Sequence, residues 1–228
     1  MWNATVLTLF PEMFPGTLGC SLAGKALENG LWNLNTINIR DFANNKNGKV
    51  DDVPFGGGPG MVINAEVLDK ALSSASAEEG PRIYLSPRGI KFDQAFAKDL
   101  SKEQGAIFIC GRYEGVDERF LIYNNVIEVS VGDFILSGGE IGAQLMIDAT
   151  VRLLPNVIGN SIGLVEESFE NNLLEYPLYT YPRVWNELEV PEVLLSGDHK
   201  RIKKWKTEMS EKLTKSKRPD LWSKYIKS

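Results

Sequence analysis

Three β-prone apolar segments each run directly into a turn built from glycine, serine or proline, and each is followed by a stretch of helical patterning. Arg82-Ile83-Tyr84-Leu85 enters Ser86-Pro87. Ala106-Ile107-Phe108-Ile109-Cys110 is broken by Gly111. Val126-Ile127-Glu128-Val129-Ser130 leads to Gly132 and on to Gly138-Gly139. The helical stretches between and after them cover residues 91–103, 116–123 and 139–154, the last with Ile141, Leu145, Ala149 and Leu153 at helical spacing. Buried strands separated by helices restrict the chain to an α/β fold with a mostly parallel sheet. The first third agrees. Ala4 to Phe10 reads as a buried strand stopped by Pro11, residues 20–30 as a helix ending at Gly30, and Thr36 to Ile39 as a short strand. Residues 41–60 read as a polar, glycine-rich loop. Residues 65–78 read as an amphipathic helix with Val67, Leu68, Ala71, Leu72 and Ala75 on one face.

In an open parallel sheet, ligands bind in the crevice at the carboxyl ends of the strands. Glycines there let the backbone approach a ligand and expose N–H groups. One such turn is no more than a tight turn. Three in one domain favour a nucleotide-like ligand. None has a phosphate-binding fingerprint, and neither does Gly56-Gly57-Gly58-Pro59-Gly60, which lacks a Gly-Lys-Ser/Thr ending and loses a donor at Pro59. A ligand needing close main-chain contact but carrying no phosphate fits better.

Composition narrows the chemistry. The single histidine, His199, lies in a basic stretch near the end, and Cys20 and Cys110 are far apart in sequence, which argues against zinc and against Ser-His-Asp or Cys-His catalysis. Both cysteines sit among apolar or small residues and read as free buried thiols. Carboxylates, arginine, backbone groups or a cofactor must carry any reaction. No apolar run is long enough to span a bilayer, and the first residues have no basic-then-apolar pattern of a signal peptide, so the cytoplasm is the expected location. Net charge is −5, but from Asp198 onward eleven Lys and Arg face four Asp and Glu, a local +7 that leaves −12 on the rest. Such a tail can hold phosphates, although a solvated helical face would look the same.

Longer motifs then follow in order. They are Pro54-Phe55-Gly56-Gly57-Gly58-Pro59-Gly60-Met61, Ile83-Tyr84-Leu85-Ser86-Pro87, Cys110-Gly111-Arg112-Tyr113-Glu114-Gly115-Val116-Asp117-Glu118-Arg119 and Gly132-Asp133-Phe134-Ile135-Leu136-Ser137-Gly138-Gly139-Glu140. Ser168-Phe169, Leu173-Leu174-Glu175-Tyr176-Pro177 and Val190-Pro191-Glu192-Val193-Leu194-Leu195-Ser196-Gly197 complete the set. From Met1 to about Trp205 the chain closely resembles the TrmD family, the bacterial tRNA (guanine-N1)-methyltransferases of the SPOUT superfamily. The resemblance implies an α/β fold of SPOUT type, its mostly parallel sheet carrying a deep trefoil knot, plus a small C-terminal helical domain. It implies a homodimer with each active site at the subunit interface, tRNA as substrate and S-adenosylmethionine bent within the knot. By motif match the cofactor contacts are Tyr84, Leu85, Ser86, Pro87, Gly111, Tyr113, Glu114, Ser130, Val131, Gly132, Asp133, Phe134, Ile135, Leu136, Gly138 and Gly139. It also suggests magnesium dependence, although no dedicated ligand cluster stands out.

The implied reaction aims a methyl at guanine N1, removes the N1 proton and stabilises charge growing on O6. These tasks call for positioning, a general base and an arginine fork. The family's arginine matches Arg152, which could equally be a helix C-terminal charge. Its acidic base matches Glu167, directly before Ser168-Phe169, where the family commonly has Asp. The extra methylene would move the carboxylate by roughly 1 Å, a shift that can cost about a hundredfold in rate. Tyr181 stands where an arginine is usual and Gly142 where many members have proline. Gly57, Gly58 and Pro59 are expected near the substrate base, and Lys200, Arg201, Lys203 and Lys204 on the tRNA backbone. The expected organisation is a knotted cofactor domain over 1–159, a flexible linker over 160–172 and a helical tRNA-binding domain over 173–228. A rival reading is a non-catalytic RNA-binding module that keeps the fold.

Overall fold

The computed structural model describes residues 1–75, 80–159 and 166–227. The last residues of the expected 65–78 helix and residues 160–165 of the expected linker lie outside this set. Two compact units emerge, Met1–Gly159 and Asn160–Ser228.

The first unit is built on a five-stranded sheet. Its strands are β1 (Trp2–Thr8), β2 (Trp32–Asn38), β5 (Arg82–Lys91), β6 (Gly105–Ile109) and β7 (Ile127–Ser130), in the order β2-β1-β6-β5-β7, and every pairing is parallel. Side chains alternate across this sheet, as the period of two requires. Ala106, Phe108 and Cys110 enter one core, which holds Ala23 and Ala26 of α1 (Ser21–Glu28), Leu100 of α3 (Gln94–Leu100) and Met146 and Ile147 of α5 (Glu140–Val151). Ile107 and Ile109 enter the other core, with Val67, Leu68 and Leu72 of α2 (Ala65–Ser73) and Phe120 and Leu121 of α4 (Glu118–Tyr123). Helices therefore cover both faces, which is why the inner strands β1 and β6 are buried almost throughout and read as apolar runs, while the edge strands β2 and β7 are partly exposed.

Several local expectations are corrected. β2 begins at Trp32, well before Thr36, because the Trp32 side chain is buried and its indole N–H donates to the Ala23 carbonyl. The 41–60 loop is not wholly irregular: β3 (Asp51–Asp52) pairs antiparallel with β4 (Val62–Ile63). β5 does not stop at Pro87. It leaves the ladder after Leu85 and rejoins β7 at Ile90, so Ser86 to Gly89 bulge out of a continuing strand. A bulge is a place where proline costs no ladder bond. Cys20 is exposed, and only Cys110 is a buried thiol.

In the second unit, Val184–Trp185 and Leu188–Glu189 form a short hairpin, and helices span Glu192–Leu195, His199–Lys217 and Pro219–Tyr225. Asp198 caps the long helix, its carboxylate accepting from the Lys200 and Arg201 amides.

Gly105 opens β6 against β1, and a Cβ there would collide with the Asn3 carbonyl. Gly30 has φ +67° but open space around it. Urea denaturation should find Gly105→Ala destabilised by at least about 2 kcal/mol and Gly30→Ala by only about 1 kcal/mol. Equal losses would contradict this packing.

Candidate functional site

The bulge of β5, the turn after β6 and the turn after β7 open on one side of the sheet and enclose a cavity of about 290 Å³. Tyr84, Leu85, Ser86 and Pro87 line it from the bulge, Gly111, Tyr113 and Glu114 from the second turn, and Ser130, Val131, Gly132, Phe134, Ile135, Leu136, Gly138 and Gly139 from the third. Fifteen of the sixteen residues expected to hold a cofactor thus meet around one space, and Asp133 is not part of its lining. Arg112, Gly115, Val129, Ser137 and Gly142 complete the wall and were not among the expected contacts.

The turns lock together through backbone and buried side chains. The Gly139 amide donates to the Gly111 carbonyl at 3.0 Å, joining the third turn to the second. The Tyr84 ring lies so close to Gly111 that a Cβ there would sit 2.8 Å from it. Burial raises the Tyr84 phenol above its ordinary range, and the Glu128 carboxylate adds to this, so it stays protonated. Tyr113 takes φ +59°, a left-handed conformation that is uncommon outside glycine and worth noting where it borders a cavity. The Ser130 hydroxyl accepts from the Gly132 amide at 3.3 Å and shapes the start of the third turn.

Gly57 and Gly58 are exposed, with φ of +79° and +122°, and Pro59 is exposed beside them. This segment borders the cavity through its last residue. Gly60 packs so closely on Glu114 that a Cβ would overlap that side chain, and the Glu114 amide donates to Met61 at 3.0 Å.

Beneath the cavity lies a charged cluster that pattern reading missed. Glu140, at the start of α5, is 1% exposed. It accepts from the Thr8 hydroxyl at 2.8 Å and from Arg112 Nε at 3.2 Å, and its other oxygen stands 3.0 Å from Arg112 Nη2. A signal was present: Glu140 falls on the same helical stripe as Ala143 and Ile147, both buried. Cys110 lies in the same region. Burial pushes its thiol well up, with the Glu140 charge adding to the effect, so it stays protonated and unreactive.

The expected catalytic residues lie in different units. Arg152 follows α5, half-buried, with its amide on Asp148. Glu167 is half-buried in the second unit. Its neighbour Glu166 accepts from the Tyr176 hydroxyl at 2.7 Å and from Lys206 at 2.9 Å, and that ammonium also sits 4.3 Å over the Tyr176 ring. The lysine, then the tyrosine, hold the Glu166 carboxyl below its ordinary range. The Ser168 hydroxyl accepts from the Glu175 amide, and the Phe169 amide donates to Leu173. Lys200, Arg201, Lys203 and Lys204 are all exposed along the His199–Lys217 helix. Tyr181 is 82% exposed.

Residues 2–224 match the family described as tRNA (Guanine-1)-methyltransferase TrmD. A tRNA (guanine-N(1)-)-methyltransferase of Pelagibacter ubique is 54% identical over 229 residues, spanning 100% of both chains. Proteins of the same name from Rhodospirillum rubrum and Cereibacter sphaeroides strain KD131 are 51% and 54% identical, each over 98% of this chain and 94% and 92% of their own lengths.

Iodoacetamide at pH 8 should leave Cys110 unmodified in the folded protein and modify it in denaturant, as read by peptide mass spectrometry. Rapid native labelling would mean that the cavity floor opens.

Proposed function

The chain belongs to the tRNA (guanine-1)-methyltransferase TrmD family, and from that premise we propose that it methylates N1 of the guanine immediately 3′ of the anticodon in tRNA, using S-adenosylmethionine. The observation that carries this reading is the meeting of fifteen motif residues from three separate turns around one cavity. The lining suits that donor. Nine of its twenty residues are glycine or serine, where polar main chain can approach the edges of an adenosyl group, Leu85, Val131, Phe134, Ile135 and Leu136 supply apolar surface for its rings, and Glu114 complements positive charge. When bound, S-adenosylmethionine supplies an electrophilic methyl on a sulfonium.

The turns hold the donor fixed, so that attack by N1 is a matter of orientation. Glu167 accepts the N1 proton. Arg152 donates to O6 as negative charge grows there, with a planar fork suited to that oxygen. Gly57, Gly58 and Pro59 border the donor cavity through Gly60 and lie along the target base. Tyr113, Gly132 and Asp133 belong to the turns through which, in this reading, the chain threads as a trefoil knot.

The second unit is the tRNA-binding domain, and residues 160–172 are the connection to it. Lys200 and Arg201 occupy the first turn of a long helix, where positive charge opposes the helix dipole. A polyanion offsets that cost, which supports Lys200, Arg201, Lys203 and Lys204 as phosphate contacts. A homodimer with its active sites at the subunit interface is supported by α5, which leaves Ile141 55% and Leu145 45% exposed one turn apart on a helix whose other residues are mostly buried. The cytoplasm is the expected place of work, and among the described residues no helix is long and apolar enough to cross a membrane.

The test is transfer of labelled methyl from S-adenosylmethionine to unmodified tRNA carrying guanine at that position. Absence of label on that base, with folded protein present, would reject the reading in favour of a binding module. Glu167→Gln and Arg152→Ala should each lower single-turnover transfer by at least about a hundredfold while donor affinity stays near wild type, and Glu167→Asp should remain active. Full turnover by Glu167→Gln would move the proton acceptor elsewhere. Running the assay with a chelator measures the magnesium dependence that the resemblance suggests, since among the described residues no group of three or more His, Cys, Asp or Glu is placed to hold a metal ion.

A further inference from the structure

Arg112 sits where three parts of the first unit meet. Its Nη1 donates to the Ser137 carbonyl in the third turn at 3.3 Å. Its Nε and Nη2 face the two oxygens of Glu140 at 3.2 and 3.0 Å. Its guanidinium lies 4.4 Å over the Phe10 ring, and Nη2 is 3.3 Å from the Met13 sulfur, both in the segment after β1. The third turn rests directly on this side chain, for a Cβ on Gly138 would overlap it.

Among the described residues Glu140 is ion-paired to no other cation. Its Oε1 is hydrogen-bonded to Thr8 and Arg112, but its Oε2 is fully buried without an aligned hydrogen bond among the described residues and depends on the guanidinium charge. A buried carboxylate and a mostly buried guanidinium are costly to desolvate, and replacing such a pair by apolar side chains is often neutral or stabilising. Stability alone therefore gives weak reason for placing the pair directly under the cavity.

We infer that Arg112 and Glu140 are positioning residues for the donor site: the pair is a strut that sets the spacing between the second and third turns. Arg112 emerges from the second turn, and its fork holds the Ser137 carbonyl at the same time as the carboxylate that begins α5. Glu140 in turn is anchored to the end of β1 through Thr8. The strut thereby orients the Gly111 and Gly138-Gly139 backbone that faces the cavity, and its carboxylate cancels the guanidinium charge beside a space meant for a cationic donor. The inference rests on the reading of the cavity as the S-adenosylmethionine site.

Two variants test it. Arg112→Lys keeps the charge but cannot hold Glu140 and Ser137 together. Arg112→Met combined with Glu140→Leu removes both charges and leaves neither orphaned. Calorimetry should show S-adenosylmethionine binding at least about tenfold weaker in both, a loss of about 1.4 kcal/mol. Thermal midpoints should stay near wild type, and transfer at saturating donor should fall far less than affinity. Glu140→Gln, which leaves the Arg112 charge unneutralised, should favour the uncharged product S-adenosylhomocysteine over the sulfonium more strongly than either the wild type or the double variant, in which that charge is cancelled or absent. Wild-type donor affinity in both Arg112→Lys and the double variant would overturn the strut. A wild-type protein that binds no S-adenosylmethionine would instead overturn the reading of the cavity on which it rests.

Discussion

β5 is hydrogen-bonded to β6 on one side and to β7 on the other, all in parallel. Parallel pairing sends the three strands in one direction, so the chain must leave each of them on the same side of the sheet. Two of those exits are ordinary strand ends. The third is made inside a strand, where β5 steps out of its ladder between Leu85 and Ile90 without ending. A bulge of this kind places Ser86 and Pro87 beside Gly111 and Ser130 while β5 remains anchored at both ends. The cavity is the space that these three departures surround.

The same geometry explains why six glycines lie in the lining. Three turns brought this close leave little room between them: a Cβ at Gly111 would strike the Tyr84 ring, one at Gly138 the Arg112 side chain, and one at Gly139 the backbone of Cys110 and Gly111. Polar backbone groups left facing a cavity need partners, and here some of them serve each other, as Gly139 does Gly111. The rest remain available to a ligand.

What could be read from the sequence divides along the range of the interactions. β1 and β6 were legible because burial on both faces demands continuous apolar runs, β7 because Val126, Ile127 and Val129 are β-prone, and the helices were legible from their stripes. The site turns were legible because glycine and proline mark departures from regular structure. The short pair β3 and β4 was not, since Asp51-Asp52 carries no strand pattern and its pairing depends on partners ten and twelve positions away. The hairpin at Val184–Glu189 escaped notice because its turn is Asn186-Glu187, both left-handed, where Asn-Gly would have advertised it. The continuation of β5 past Pro87 was hidden by a residue that normally ends strands. Arg112 and Glu140 were inside quoted motifs, yet their partnership spans 28 positions and includes Thr8 from the first strand. Only the folded sheet joins them.

A cavity with this many glycines in its wall has an unusual mutational profile. Substitutions at Gly111 or Gly139 press on the Tyr84 ring or on the Cys110 and Gly111 backbone rather than on the occupant alone. A small molecule held against those glycines would therefore be hard to exclude by single replacements. Most changes that evict it would also dismantle the pocket that the natural occupant needs.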